Sequence, residues 1–137
     1  MPLSVTESVS IRSSEDVVRM RQWVRARAIG IGFSLVDQTK IVTAASELAR
    51  NIIEHGGGEG HVQLEVVTNN SRNGIQLTFE DKGRGIADIE QALKDGFTSA
   101  GGLGLGLGGA KRLVNQFEIA SHVGEGTRIT ITRWMHT

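Results

Sequence analysis

Residues 101–112 form a glycine-rich stretch, Gly-Gly-Leu-Gly-Leu-Gly-Leu-Gly-Gly-Ala-Lys-Arg, and this stretch is the most informative part of the chain. Glycine lets backbone N–H groups approach phosphate oxygens, and a helix that follows adds its positive N-terminal end. The spacing fits neither a dinucleotide-binding βαβ unit nor a Walker A loop, in which Ser or Thr would follow the lysine. The stretch predicts a phosphate-binding backbone of another kind, with a flexible loop as the alternative.

The composition excludes several classes of protein. The chain has 137 residues with 18 glycines, one proline and no cysteine. The absence of cysteine excludes disulfides, thiol catalysis and cysteine-ligated metal sites. Lys and Arg total 15 and so do Asp and Glu, which argues against nucleic-acid or membrane-surface binding as the main activity. No signal peptide or membrane-spanning run is evident, so a cytoplasmic location is expected.

Hydrophobic periodicity predicts a single α+β domain over residues 1–137, an α/β sandwich with helices on one face of a sheet in which two strand pairs are antiparallel. Ser13 and Ser34 resemble helix starts, and the glycines at 56–58 resemble a helix end. Predicted strands cover residues 5–11, 62–66, 75–79, 117–123 and 127–134, with a turn at 69–74. One predicted helix starts at residues 13–14 and fades around residues 30–32, and a second runs from Ser34 to the glycines at 56–58. Two further helices are predicted over residues 88–94 and 107–117.

Two polar groups lie at positions where a site could form. Glu47 and Asn51 are four residues apart on the second helix, so they share one face at the border between core and solvent. Asp81 follows Ile75, Leu77 and Phe79 on the apolar face of a strand, where an unpartnered carboxylate is costly. An ordinary helix flank and an ordinary Asp-x-Gly turn are the alternatives.

Four boxes in this order resemble the GHKL superfamily of ATPases and kinases, which includes gyrase, Hsp90, histidine kinases and MutL. They read Glu47…Asn51, Asp81-x-Gly83-x-Gly85, Gly102-x-Gly104-x-Gly106-x-Gly108 and Gly126-Thr127. The resemblance implies the GHKL (Bergerat) ATP-binding fold, in which helices are layered on one face of a mixed, mostly antiparallel sheet. Residues 43–51, 102–107 and 109–113 are more specifically similar to the RsbT type of serine/threonine kinase, over roughly residues 5–134. Arg84 and Gly109 depart from that group, which usually has proline at the first position and less consistently at the second.

The resemblance implies roles for the residues of these boxes. Asp81 would accept a hydrogen bond from the adenine amino group, with Thr127 beside it through water. Asn51 would bind Mg²⁺, and Glu47 would be the general base. Residues 95–102 would form a lid, and Lys111 is a candidate charge near the phosphates, with a solvated helix lysine as the alternative. The nucleotide-binding glycines would be Gly83, Gly85, Gly102, Gly104, Gly106 and Gly108.

The function that the resemblance implies is that of a protein serine/threonine kinase using ATP and Mg²⁺. Its substrate would be a STAS-domain antagonist protein of a partner-switching pathway, and it would bind a PP2C-type phosphatase or a sigma factor. The alternative is an anti-sigma factor or phosphatase-activating protein in which ATP acts mainly as a conformational ligand. Neither function involves nucleic acid or a membrane.

Overall fold

The computed structural model describes residues 6–94 and 106–135, which form a five-stranded sheet and four helices. The strands are β1 (Glu7–Ile11), β2 (Gly60–Asn69), β3 (Arg72–Asp81), β4 (Gln116–His122) and β5 (Gly126–Trp134). The helices are α1 (Ser14–Gly30), α2 (Leu35–His55), α3 (Ile89–Ala92) and α4 (Gly106–Arg112). Within these residues no helix has the length and apolarity that crossing a membrane requires.

The sheet has the order β1-β2-β3-β5-β4, and all four described pairings are antiparallel. The chain passes from β3 to the outer strand β4, and β5 then returns between them. This return places Asp81, the last residue of β3, opposite Thr127 at the start of β5. The α+β fold is confirmed, and the described sheet is antiparallel throughout, where the resemblance implies a mixed, mostly antiparallel one.

The helices cover one face of the sheet because their apolar residues recur at helical spacing. The Ser13 hydroxyl accepts from the Asp16 N–H at the start of α1, and Ser34 caps α2 in the same way through the Asp37 N–H. Helix α2 packs between α1 and α4 above the sheet. The fully buried side chains that join these layers include Met20, Val24, Ile41, Leu48, Ile52, Leu64, Leu77 and Ile131.

Two predicted boundaries differ in the structure. The β2–β3 turn contains only Asn70 and Ser71, whose φ angles of 49° and 70° suit the tight turn that matches strand twist. Gly74, expected in this turn, lies within β3 opposite Trp134. Glycine suits this strand position because a side chain there would meet the Trp134 ring. Helix α4 ends at Arg112, so Phe117 belongs to β4 and not to the helix.

A buried ion pair joins the start of α2 to β5. The Arg133 guanidinium donates to Asp37 Oδ1 at 2.6 Å and to the Leu113 carbonyl at 2.9 Å. The Asp37 and Arg133 side chains are only 3% and 13% exposed. Removal of either partner would leave a buried charge without compensation. Because the guanidinium also binds the Leu113 carbonyl, it ties the residues after α4 to the core.

A second pair ties the edge strand β1 to α1. The Arg27 Nε donates to Glu7 Oε1 at 2.6 Å, and the two side chains are partly exposed. The hydrogen bond from Arg27 lowers the pKa of the Glu7 carboxyl below its ordinary value of 4.5. Folding therefore favours the ionised form of this carboxyl.

Candidate nucleotide-binding site

A cavity of about 460 Å³ opens between α2, the ends of β3 and β5, and the start of α4. This volume lies in the range of small-molecule sites. Six of the predicted site residues line it: Glu47, Asn51, Asp81, Gly85, Gly106 and Thr127. Residues separated by up to 80 positions in the chain therefore meet at one cavity, with α2 as its longest wall.

Glu47 lies at one end of this wall, with both carboxylate oxygens engaged. Its Oε1 accepts from the Gly106 N–H at 3.3 Å, and its Oε2 accepts from the Arg50 guanidinium at 2.8 Å. The Glu47 side chain is 12% exposed, so the carboxylate is held largely away from water. This position suits a general base, which needs a fixed carboxylate at the edge of a ligand pocket.

Asn51 lies one helical turn further along α2, on the same wall. It is partly buried, and its side-chain amide makes no hydrogen bond with the described residues. Its carbonyl oxygen is therefore available as a hard ligand for Mg²⁺. Across the described residues no group of three or more His, Asp or Glu side chains could hold a metal.

Asp81 lies at the other end of the wall, beside the end of α2. Its Oδ1 accepts from the Gly83 N–H at 2.9 Å, which closes a turn of the kind that Asp residues favour. Its Oδ2 receives no hydrogen bond from the described residues. A Cβ on Gly56 would be only 2.6 Å from the Asp81 carboxylate, so glycine is required there for space. The cavity end beside Gly56 thus contains a carboxylate oxygen that can accept from a ligand.

Thr127 lies beside Asp81, and its hydroxyl contacts Ser121, a residue that the sequence did not indicate. The Ser121 hydroxyl accepts from the Ile86 N–H at 2.8 Å and lies 3.2 Å from the Gly126 carbonyl. The Ser121 and Thr127 hydroxyls are 2.7 Å apart, and either can donate to the other. In both arrangements the Thr127 oxygen keeps a lone pair that can accept from a ligand, as Asp81 does.

The walls between these polar ends are apolar. They are formed by side chains from α2, β3, β5, α4 and the segment after β3: Leu48, Ile52, Phe79, Ile86, Leu107 and Ile129. An apolar cavity with two acceptors at one end suits a purine that carries an amino group. Gly56, beside Asp81, and Glu47 are nine residues apart, or about 13 Å along the helix axis. A purine held at Asp81 could therefore direct its phosphates along α2 toward Glu47.

The predicted glycines have different local reasons. Gly85 has φ +78° and lies against the His122 carbonyl, where a Cβ would be 2.2 Å from the oxygen. Gly83 packs on Gly56 and Gly108 packs on the Leu93 carbonyl, and neither lines the cavity. Their lack of a side chain serves close packing of backbone segments. Gly102, Gly104 and the predicted lid at 95–102 lie outside the described residues.

Lys111 is exposed on α4 and does not line the cavity. The arginines that do line it, Arg50 and Arg84, were not proposed as site residues from the sequence. Arg50 could have been found by its i,i+3 spacing from Glu47, whereas nothing local in the sequence pointed to Ser121. Arg84, at the position where the RsbT type usually has proline, lines the cavity with the other residues of this end.

Comparison with known proteins shows the family to which the chain is related. A family model described as histidine kinase-, DNA gyrase B-, and HSP90-like ATPase matches residues 36–136. The serine/threonine-protein kinase RsbT of Bacillus subtilis is 44% identical over 127 residues, covering 93% of this chain and 95% of the relative. An anti-sigma F factor of Clostridium beijerinckii is 29% identical over 129 residues, covering 90% and 89%.

Solved structures share the fold. A Mycobacterium tuberculosis protein with RsbU and RsbW domains superposes with a TM-score of 0.66 at 20% identity, covering 99% of this chain and 34% of that one. The mycobacterial sensor histidine kinase MprB gives 0.56 at 23% identity, covering 96% and 99%. The resemblance to the GHKL superfamily is confirmed: the chain belongs to the family of histidine kinase-, DNA gyrase B- and HSP90-like ATPases.

Proposed function

We propose that the chain is a protein serine/threonine kinase that transfers phosphate from Mg-ATP to a STAS-domain antagonist protein. In this proposal the unphosphorylated antagonist binds the kinase, and the phosphorylated antagonist leaves. The kinase is then available to bind a PP2C-type phosphatase or a sigma factor. The similarity to RsbT over nearly the whole of both chains supports this assignment.

One observation carries the chemical part of the proposal. A single cavity has an acceptor pair, Asp81 and Thr127, at one end and the Glu47 carboxylate at the other, with Asn51 between them on α2. The acceptor pair matches the amino group of adenine, whereas guanine has a carbonyl at the corresponding position. Glu47 then lies where the terminal phosphate would meet a protein substrate.

Asn51 fits a role as the protein ligand of Mg²⁺. This ion keeps several waters and is commonly bound by one or two protein oxygens together with substrate phosphates. A site with one amide oxygen, and without a cluster of carboxylates among the described residues, is consistent with this kind of Mg²⁺ coordination. When bound, Mg²⁺ neutralises negative charge on the phosphates.

In the transfer step, Glu47 accepts the proton of the substrate serine or threonine hydroxyl. The hydroxyl oxygen forms a bond to the terminal phosphorus while the bond from that phosphorus to the ADP oxygen breaks. A positioned base of this kind contributes about 10²- to 10⁴-fold to the rate.

The test is a transfer assay with ATP labelled at the terminal phosphate, Mg²⁺ and a STAS protein encoded beside this chain. Phosphoserine or phosphothreonine on the STAS protein, located by mass spectrometry, is the expected result. We expect Glu47→Gln to bind ATP within a few-fold of the unmodified chain and to lose about 10²- to 10⁴-fold in transfer rate. Glu15→Gln, an exposed carboxylate in the first turn of α1, is the matched control and should transfer normally.

Other outcomes separate the two candidate functions. A tight complex with the STAS protein, dependent on ATP but without phosphate transfer, would favour the anti-sigma or phosphatase-activating function. The similarity to an anti-sigma F factor is the observation behind that second candidate. Full transfer by Glu47→Gln would remove Glu47 as the base, and failure of the unmodified chain to bind ATP would exclude both functions.

A further inference from the structure

Among the described residues, two arginines and no lysine line the cavity. Arg84 follows Asp81 by three residues and belongs to the purine end. Arg50 is on α2 between Glu47 and Asn51 and belongs to the phosphate end. Lys111 and Arg112 of α4 are exposed and do not line the cavity. Arg50 is therefore the cavity-lining cation that the fold places beside the predicted base.

Arg50 and Gly106 together hold Glu47. The Arg50 guanidinium donates to Oε2 at 2.8 Å, and the Gly106 N–H donates to Oε1 at 3.3 Å. Both oxygens of the carboxylate already accept a hydrogen bond, so a substrate hydroxyl would have to displace one of the two donors or share an oxygen with it. The arrangement in the structure thus restrains the group that the transfer step requires.

The two donors around Glu47 are also the kinds of donor that bind phosphate. A guanidinium fork fits phosphate as well as it fits carboxylate, and backbone N–H groups of glycine-rich segments bind phosphate oxygens. A terminal phosphate carries more negative charge than one carboxylate. It would therefore compete with Glu47 for Arg50 and for the Gly106 N–H.

We propose that Arg50 is a catalytic residue that exchanges the Glu47 carboxylate for the terminal phosphate of bound ATP. This inference rests on the proposed function. With nucleotide bound, the guanidinium contacts the terminal phosphate oxygens and offsets the charge that spreads over them during transfer. Glu47, released from Arg50, accepts the hydroxyl proton, so the same movement supplies the cation and frees the base.

The exposure of Arg50 permits this movement. Its side chain is 45% exposed, so the guanidinium has room to change its conformation, and ion pairs three residues apart on a helix contribute only modestly to stability. The exchange therefore breaks a weak contact to form one with a doubly charged group. Arg19 and Asp16 on α1 form a matched pair with the same i,i+3 spacing, away from the cavity.

The test compares a nucleotide that carries the terminal phosphate with one that lacks it. Calorimetry with Mg²⁺ gives the affinities for ADP and for a non-hydrolysable ATP analogue, and a single-turnover assay gives the transfer rate. We expect Arg50→Gln to weaken binding of the analogue about tenfold or more while ADP binding changes less than about twofold. Transfer should fall about 10²-fold or more, because a guanidinium on a transferring phosphoryl group has effects of this size or larger.

Arg50→Lys keeps the charge without the fork and should retain part of the preference for the ATP analogue. Arg19→Gln is the control and should leave both affinities and the rate unchanged. If Arg50→Gln melts normally and keeps the ratio of analogue to ADP affinity, Arg50 does not bind the terminal phosphate and the inference is wrong, although the proposed function stands. If the unmodified chain binds no ATP, the proposed function and this inference fail together.

Discussion

The change Asp81→Asn tests the purine end of the cavity with little disturbance of the fold. In the structure, Asp81 Oδ1 accepts from the Gly83 N–H at 2.9 Å, and Oδ2 has no donor among the described residues. Asparagine is nearly the same size and keeps one oxygen for the Gly83 N–H. Its amino group then replaces the second oxygen, so a donor faces the cavity where an acceptor was.

The expected loss follows from the hydrogen bonds at that oxygen. A bond from the adenine amino group to a carboxylate contributes about 1.5–3 kcal/mol, and two donors left facing each other cost about 1–3 kcal/mol more. We expect a total near 3 kcal/mol, which is about a 10²-fold weaker affinity for ATP. The free energy of unfolding should change by less than about 1 kcal/mol, because the bond to Gly83 is retained.

Calorimetry with ATP and with GTP measures the effect, alongside urea unfolding. GTP has a carbonyl where ATP has the amino group, so the preference for ATP should fall or reverse. Glu80→Gln is the matched control, because Glu80 precedes Asp81 in β3, pairs with His61 and does not line the cavity. An ATP affinity within threefold of the unmodified value, in a protein that unfolds normally, would refute the placement of adenine at Asp81.

Three further predictions concern packing and charge. Gly56→Ala should weaken ATP binding tenfold or more, measured by calorimetry, because the added Cβ would lie 2.6 Å from the Asp81 carboxylate and displace it. Asp37→Ala should lower the free energy of unfolding by about 3 kcal/mol in urea at pH 7, because it leaves the buried Arg133 guanidinium without its anion. For Glu7→Gln, the free energy of unfolding should fall less steeply than that of the unmodified chain as the pH is lowered. The lowered pKa of Glu7 adds stability above its ordinary value of 4.5, and this stability is lost as the pH falls through the pKa in the folded state.

Each of these predictions has a control or a contrary result. Gly30→Ala is the control for Gly56, because Gly30 ends α1 with no atom within 4 Å of an added Cβ. A loss below about 1 kcal/mol on Asp37→Ala would mean that the ion pair is not needed to compensate Arg133. For Glu7→Gln, a stability profile between pH 3 and pH 7 that is unchanged from the unmodified chain would contradict the lowered pKa.

Several features could be predicted because they depend on neighbours in sequence. The spacing of Glu47 and Asn51 places both on one face of a helix whatever the helix packs against. The alternation from Ile75 to Asp81 brings the carboxylate to the apolar face at the end of a strand. The order of the glycine boxes indicated the family, and the family model and the relatives confirm it.

Other features were misassigned because local signals were ambiguous. The Asn-Gly pair at residues 73 and 74 resembles a hairpin turn, yet the two-residue turn at Asn70 and Ser71 sets the register. The roles of the glycines at 83 and 108 in nucleotide binding stay predictions, and the structure adds that a side chain at either position would meet the backbone of a neighbouring segment. A glycine's sequence position does not tell which neighbour approaches it.

The sequence by itself determined the α+β class, through hydrophobic periodicity, and the family, through the order and spacing of its motifs. The resemblance to that family then implied which residues could carry acid–base and nucleotide chemistry. Only the tertiary structure decided how they meet. The Glu47 contact with Gly106 spans 59 positions, and the space that Gly56 leaves for Asp81 exists only once α2 lies on the end of β3. Contacts of this kind depend on the order of strands and the packing of layers, which no short stretch of sequence encodes.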